Sequence, residues 1–254
     1  MSDLVRIGCT EGVCTILLNR PEKKNALTLA MYQAMADAIT DAVARPDVRV
    51  IVLGSEGPNF TAGNDLADFL KNPSMDEDGP ICRFLFAWRD CPLPLVVAVQ
   101  GFAIGIGSTL LLHADQVIAD ESAVFSFPFV NLGLVPEAGS SLLLPKLVGY
   151  QRAANWLLTG DPVPASKAYA AGLVGQLVGQ GEALATAMAY AKKLAAKPRD
   201  TLIRTRQLLR RDEEPLSARM ELELQWFAQA LNSAPAKEAM LAFLEKRKPD
   251  FRNL

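Results

Sequence analysis

The chain alternates between stretches of period two and stretches of helical spacing, with glycine and proline marking most of the changes. "VRIGCTEGVCTILLN" sets β-prone residues on both sides of Glu11-Gly12, which predicts two strands joined by a hairpin. "TLAMYQAMADAITDAVAR" has helical spacing: Met31, Met35, Ala38 and Ala42 share one face, and Thr28 stands where a capping hydroxyl belongs. "VRVIVLGSEG" is a buried strand, "NFTAGNDLADFL" a turn running into a helix, and "NPSMDEDGP" a polar, mobile loop. Leu93 to Leu112 has membrane-span length and places Gly101 and Gly105 at GxxxG spacing. Pro94, Gln100, Ser108 and Thr109 interrupt it, so β-branched "LVVAV", the glycines and "STLLLHA" read as strand, turn and buried helix.

"DQVIADESAVFSF" follows as two short strands, "SLLLPKLVG" and "QRAANWLLTG" as helices, and "PASKAYAAGLVGQLV" as a short helix and a strand. From "GEALATAMAYAKKLAAK" onward only helices are predicted, the last one, "APAKEAMLAFLEKRK", capped by Ser233 and ending in a basic turn. Strands alternating with helices and then a helical tail define an α/β core with a helical appendage.

Composition narrows the function. With 254 residues, half of them hydrophobic, the chain is long enough for one large core or a core plus a smaller unit. A formal net charge of -2 and the lack of any basic block argue against nucleic acid. The four cysteines, Cys9, Cys14, Cys82 and Cys91, have no CxxC spacing and read as free thiols of a reducing, cytoplasmic compartment. The opening residues have neither the basic start nor the apolar run of a secretion signal, and "DFRNL" is not a peroxisomal ending. His113 is the single histidine, so a zinc site lacks ligands. Without GxSxG a serine triad has no elbow either, and His113 reads as a helix-face residue.

Three features carry chemistry. In "FTAGNDLADFL", Gly63 lets the backbone turn and Asn64 leads into a helix; in "GFAIGIGSTLLL", Gly105 and Gly107 flank Ile106 at the start of another. Two such turns can aim backbone N-H groups at a developing enolate oxygen. Leu110 occupies the third-glycine position, which weakens a dinucleotide reading. The third feature is Glu137 in "LGLVPEAGSSLLLP", a carboxylate among apolar and small residues.

"NRPEKKNALT", "FTAGNDL", "VQGFAIGIGSTLLLHADQVIA", "FVNLGLVPEAGSSLLLPKLVG", "ASKAYAAGLVGQLV" and "AFLEKRKPDF", in this order and spacing, resemble the crotonase (enoyl-CoA hydratase/isomerase) superfamily over essentially the whole chain. The resemblance implies a spiral of β-β-α units, residues 1–195, and a helical C-terminal region, residues 196–254, that builds a homotrimer or a dimer of trimers. It implies an acyl-CoA thioester as ligand, with coenzyme A part of the substrate and no separate cofactor or metal. The thioester oxygen would sit between the N-H groups of Asn64 and Ile106. Lys24 and the backbone of Ala26 and Ala62 would meet the nucleotide or pantetheine, and Gly63, Asp65, Leu66, Gly105, Gly107, Phe129 and Leu132 would complete the acyl-CoA contacts.

An ordinary structural role stands beside several of these. The Asn64 side chain or Asp65 would serve the following helix end, Lys23 and Lys24 a solvated loop, and Phe84, Trp88, Phe129 and Leu132 the core.

The acids select among the superfamily's reactions. Hydratases use two glutamates, at positions that hold Thr109 and Phe129 in this chain. Glu137 remains, where the Δ3,Δ2-enoyl-CoA isomerases carry their single acid, and "GNDLADF" and "GSTLLL" also resemble that branch. One carboxylate suffices for that reaction: it takes a proton from C2 of a 3-enoyl thioester and returns it at C4. Apolar neighbours are expected to raise its pKa. Other enolate chemistry on the same scaffold, a ring-opening isomerisation or weak hydration, and a non-catalytic acyl-CoA-binding protein are the alternatives.

Overall fold

The computed structural model describes residues 4–71, 76–211 and 213–251; residues 72–75, part of the loop read as mobile, lie outside the described residues. In chain order come β1 (Val5–Thr10), β2 (Val13–Leu18), α1 (Leu29–Ala44), β3 (Val50–Ser55), α2 (Leu66–Lys71), α3 (Pro80–Asp90), β4 (Leu95–Val99), β5 (Phe102–Ile104) and α4 (Ile106–Thr109). Then follow β6 (Gln116–Asp120), β7 (Val124–Ser126), α5 (Ser140–Val148), α6 (Tyr150–Thr159), β8 (Val163–Pro164), α7 (Ala165–Ala170) and β9 (Gln176–Val178). Four helices end the chain: α8 (Ala183–Ala195), α9 (Arg199–Leu209), α10 (Leu216–Leu231) and α11 (Ala234–Leu244).

The β1-β2 hairpin follows from its turn. Glu11 and Gly12 have φ of 51° and 79°, the pair of positive values a two-residue turn matched to strand twist requires. β2 then pairs in parallel with β3, and the main sheet runs β1-β2-β3-β4-β6-β9, parallel beyond its first pair. A smaller sheet runs β5-β7-β8. β4 and β6 pair in the main sheet while the strands after them, β5 and β7, pair in the small one. This two-sheet winding is the β-β-α spiral that the family resemblance implies.

Strand alternation gives the main sheet two apolar faces. Val50 and Val52 of β3 face Ala183, Ala187, Ala191 and Ala195, whose four-residue spacing lets α8 lie close to the sheet. Ile51 and Leu53 face the larger core with Met31, Tyr32 and Met35 of α1 and Phe84 and Trp88 of α3. Each such side chain stabilises by roughly 1.5–3 kcal/mol relative to exposure. Thr28 Oγ1 accepts from Met31 N and Ser233 Oγ from Ala236 N, so both predicted caps form.

The structure corrects the elements in four places. α3 goes unread in the sequence because its apolar positions, Ile81, Phe84 and Trp88, follow directly on a polar segment. β5 lies inside the stretch read as a turn; it is three residues long and stands between Gly101 and Gly105. "STLLLHA" is not one regular helix: α4 begins at Ile106, where the glycine turn predicts a helix start, and gives way to a 3-10 turn over Leu110–His113. α11 stops at Leu244, and Lys246, with φ of 55°, carries the basic residues away from its last turn. No described helix is long and apolar enough to cross a membrane.

Buried arginines tie the C-terminal helices to the core. Arg206 of α9 pairs with Asp115 at 2.6 Å and donates to Cys91 O. Arg49 donates to the carbonyls of Ala195, Lys197 and Phe251 at 3.0, 3.1 and 2.6 Å.

Candidate active site

Two backbone turns meet at Thr61. Its N-H donates to Phe102 O at 2.8 Å and its carbonyl accepts from Ile104 N at 3.1 Å, so the segment before Asn64 runs beside β5. Beneath it lies Asn25, fully buried, whose side chain donates to Glu56 O and Asn59 O and accepts from Arg20 N. Gly63 has φ of 86°, and a Cβ there would stand 2.9 Å from Ile104 O; only glycine fits. At Gly107 a Cβ would stand 2.5 Å from Thr61 Cγ2, so that glycine lets the second turn close on the first.

The hydrogen bonds skip one amide in each turn. Leu27 N donates to Gly63 O and Asp65 N to Leu27 O, and nothing among the described residues accepts from Asn64 N. Gly105 N donates to Ser126 O, and Ser108 N and Thr109 N both return to Gly105 O. Ile106 N, the first amide of α4, likewise has no acceptor among the described residues.

Glu137 sits in a turn whose next two residues, Ala138 and Gly139, have φ of 52° and 68°. Ser140 donates to Glu137 O through both its amide and its hydroxyl, at 3.0 and 2.6 Å. The Thr109 hydroxyl donates to Glu137 Oε1 in a short hydrogen bond, which places the carboxylate on the far end of α4 from Ile106. Burial pushes the Glu137 carboxyl up from its ordinary 4.5 to about 6, against the lowering effect of Thr109. Tyr32 closes the arrangement. Its hydroxyl donates to Asn64 Oδ1, and burial, with the Glu137 carboxylate nearby, holds its pKa well above the usual phenol value.

The other candidates divide. The Asn64 side chain faces Tyr32 and does not cap α2; Asp65 does, accepting from Ala67 N and Asp68 N. The second Asp65 oxygen pairs with Arg20 at 2.7 Å, which holds its carboxyl below the usual range, so both oxygens are engaged within the protein. Lys24 is exposed, with Nζ 5.1 Å from the centre of the Phe102 ring, and its carbonyl accepts from Ala62 N at 2.9 Å. Ala26 donates its N-H to Lys23 O and accepts from Arg20 at 3.0 Å. Leu66 and Leu132 are exposed and Phe129 is buried. Phe84 and Trp88 belong to the core, with the Trp88 indole donating to Leu110 O at 2.9 Å.

Three participants escape a reading of the sequence. Asn25 is hidden in a lysine-rich loop and Tyr32 in an apolar helix face, where its one polar atom was the available signal. His113, read as a helix-face residue, ends the 3-10 turn after α4, is buried, and has its Nε2 2.7 Å from Ala138 O. A cavity of about 1100 Å³ between α9 and α10, walled by Arg204, Leu208, Met220, Leu224 and Trp226, contains none of these residues.

Asn64 N and Ile106 N, each without an acceptor among the described residues, stand on two turns that meet at Thr61, and Glu137 is bonded to Thr109 of the helix that Ile106 begins. A family model described as enoyl-CoA hydratase/isomerase matches residues 8–253, and the chain belongs to that family, within the crotonase superfamily. It is therefore an enzyme of that superfamily acting on acyl-CoA thioesters.

A probable enoyl-CoA hydratase of Rhodobacter capsulatus is 35% identical, over 97% of each chain. The 1,2-epoxyphenylacetyl-CoA isomerase of Escherichia coli is 33% identical, over 99% of each. Among solved structures, one from Magnetospirillum magneticum AMB-1, provisionally named an enoyl-CoA hydratase/carnithine racemase, superimposes with a TM-score of 0.96 at 44% identity, over 99% of each chain. Hydratase and isomerase names stand at nearly equal identity, so the choice between them falls to the site.

Proposed function

We propose that this enzyme moves the double bond of a 3-enoyl-CoA to position 2, with Glu137 as the only acid-base group. The observation that carries the reading is Thr109 bonded to Glu137. Where a hydratase of the family holds its two glutamates, this site has the Thr109 hydroxyl and the buried ring of Phe129. Without a second carboxylate, no group activates a water while Glu137 serves the α-carbon.

The thioester oxygen accepts from Asn64 N and Ile106 N. Ionised Glu137 removes a proton from C2, the negative charge spreads to the oxygen between the two amides, and the protonated carboxyl returns the proton at C4. A carboxyl near 6 suits both halves of this cycle better than an ordinary one. Asp65 and Arg20 brace the turn that carries Asn64, and Lys24 beside Phe102 offers a cation to the nucleotide end of CoA. The apolar row of Leu216, Met220, Leu224 and Phe227 on α10 is exposed, which supports the trimer implied by the resemblance.

The deciding experiment follows cis- or trans-3-hexenoyl-CoA spectroscopically. Formation of trans-2-hexenoyl-CoA, with hydration of crotonyl-CoA slower by at least about 100-fold, is the expected result. No isomerisation, or hydration at a matching rate, overturns the reading.

The pH dependence supplies a second prediction. Because Glu137 acts first as a base, kcat/KM should fall as pH drops through about 6. Thr109→Val removes the donor that favours the ionised form, so the midpoint of that acid limb should rise by about one pH unit. An unmoved midpoint means that Thr109 does not tune the carboxylate.

A further inference from the structure

We infer that His113 is a positioning residue: it clamps the turn that aims Glu137 and links that turn to the C-terminal helix α9. His113 Nε2 lies 2.7 Å from Ala138 O, the carbonyl directly after the Glu137 residue. A carbonyl only accepts, so Nε2 carries the proton. On the other side of the ring the Arg210 guanidinium, which only donates, approaches Nδ1 at 3.5 Å and donates to the His113 carbonyl at 2.7 Å. Both neighbours therefore select the same Nε2-H tautomer.

The clamp acts where the backbone needs support. Ala138 is a non-glycine residue at φ of 52°, a left-handed conformation that L-residues rarely adopt. Ser140 fixes the carbonyl of Glu137 and His113 fixes that of Ala138, so both peptide planes flanking the strained residue are anchored. Burial lowers the His113 pKa, the hydrogen bond to Ala138 works against it, and the charges of Arg210, Arg89 and Arg206 lower it further, the last two arginines being paired with Asp90 and Asp115. The chain of contacts runs from Arg210, the residue that caps the end of α9, through His113 and Ala138 to the carboxylate on Glu137. The histidine touches no reacting atom.

This inference rests on Glu137 being the acid-base group, so its test has readouts besides turnover. As the single histidine in the chain, His113 gives one pair of ¹⁵N signals in the labelled full-length protein. Those signals should report the neutral Nε2-H tautomer at pH 7. In His113→Leu, amide exchange over residues 134–141 should accelerate, and kcat on 3-hexenoyl-CoA should fall about tenfold to a hundredfold with KM within about twofold. His113→Gln, whose side-chain amide can donate to the same carbonyl, should recover most of kcat and the slow exchange.

An Nδ1-H tautomer, unchanged exchange in His113→Leu, a change in KM in place of kcat, or Gln as impaired as Leu would each overturn the clamp. If the wild-type protein does not isomerise 3-hexenoyl-CoA at all, the proposed reaction fails while tautomer and exchange still decide the clamp.

Discussion

Glu137→Gln should lower turnover of 3-hexenoyl-CoA by about three to four orders of magnitude and, at pH 7, make the protein more stable. The amide has the size of the carboxyl and can still accept from Thr109, but it takes no proton from C2. The gain in stability follows from the pKa. The folded-state value is raised from 4.5 to about 6, so the native protein holds this proton more tightly than the unfolded chain does. That contribution is fully present below pH 4.5 and is lost as pH rises through 6.

At neutral pH the wild type therefore keeps a charge in an unfavourable place, at a cost of about 1–2 kcal/mol once partial exposure is discounted. Removing it should raise Tm by roughly 2–6 °C for a chain of this size. Calorimetry at pH 7 and at pH 4.5 checks the sign, because the difference should shrink at the lower pH. A mutant that is active, or less stable than wild type at pH 7, contradicts the role or the environment assigned to Glu137.

The second large effect is expected from Ile106→Pro. Ile106 opens α4 and its N-H has no acceptor among the described residues, so proline at this first helical position removes no intramolecular hydrogen bond. It deletes one of the two donors proposed for the enolate oxygen. Loss of a single such donor lowers kcat by about 100- to 1000-fold. The comparison is Ile106→Val, which shortens the side chain and keeps the N-H, and should retain kcat within about threefold. Equal losses in the two variants would place the contribution in the side chain.

Long periodic segments and glycine turns were the readable parts of this chain. The hairpin at Glu11-Gly12, α1 with its Thr28 cap and the buried strands form as read, as do the tail helices apart from the basic end of the last, because each carries its own local signal. β5 and β8 do not, because three and two residues offer no period to detect and pairing with β7 alone makes them strands. At the candidate site, the two turns with unbonded amides were legible through their glycines, and Glu137 stood out through its apolar setting. Asn25, Tyr32 and His113 work through tertiary hydrogen bonds to residues 31, 34, 32 and 25 positions away. Nothing in their local sequence distinguishes them from a loop amide, a core aromatic and a helix-face imidazole.

Arg49 has a consequence for how the molecule assembles. Its three acceptors lie 146, 148 and 202 residues further along the chain. Contacts so distant close large loops, whose entropy is lost before any contact repays it. During synthesis, both amide turns and the glutamate loop have emerged long before Phe251 exists to meet the guanidinium. Until then Arg49, at the foot of β3, holds at most the carbonyls of Ala195 and Lys197, so the spiral takes shape first and the tail locks last.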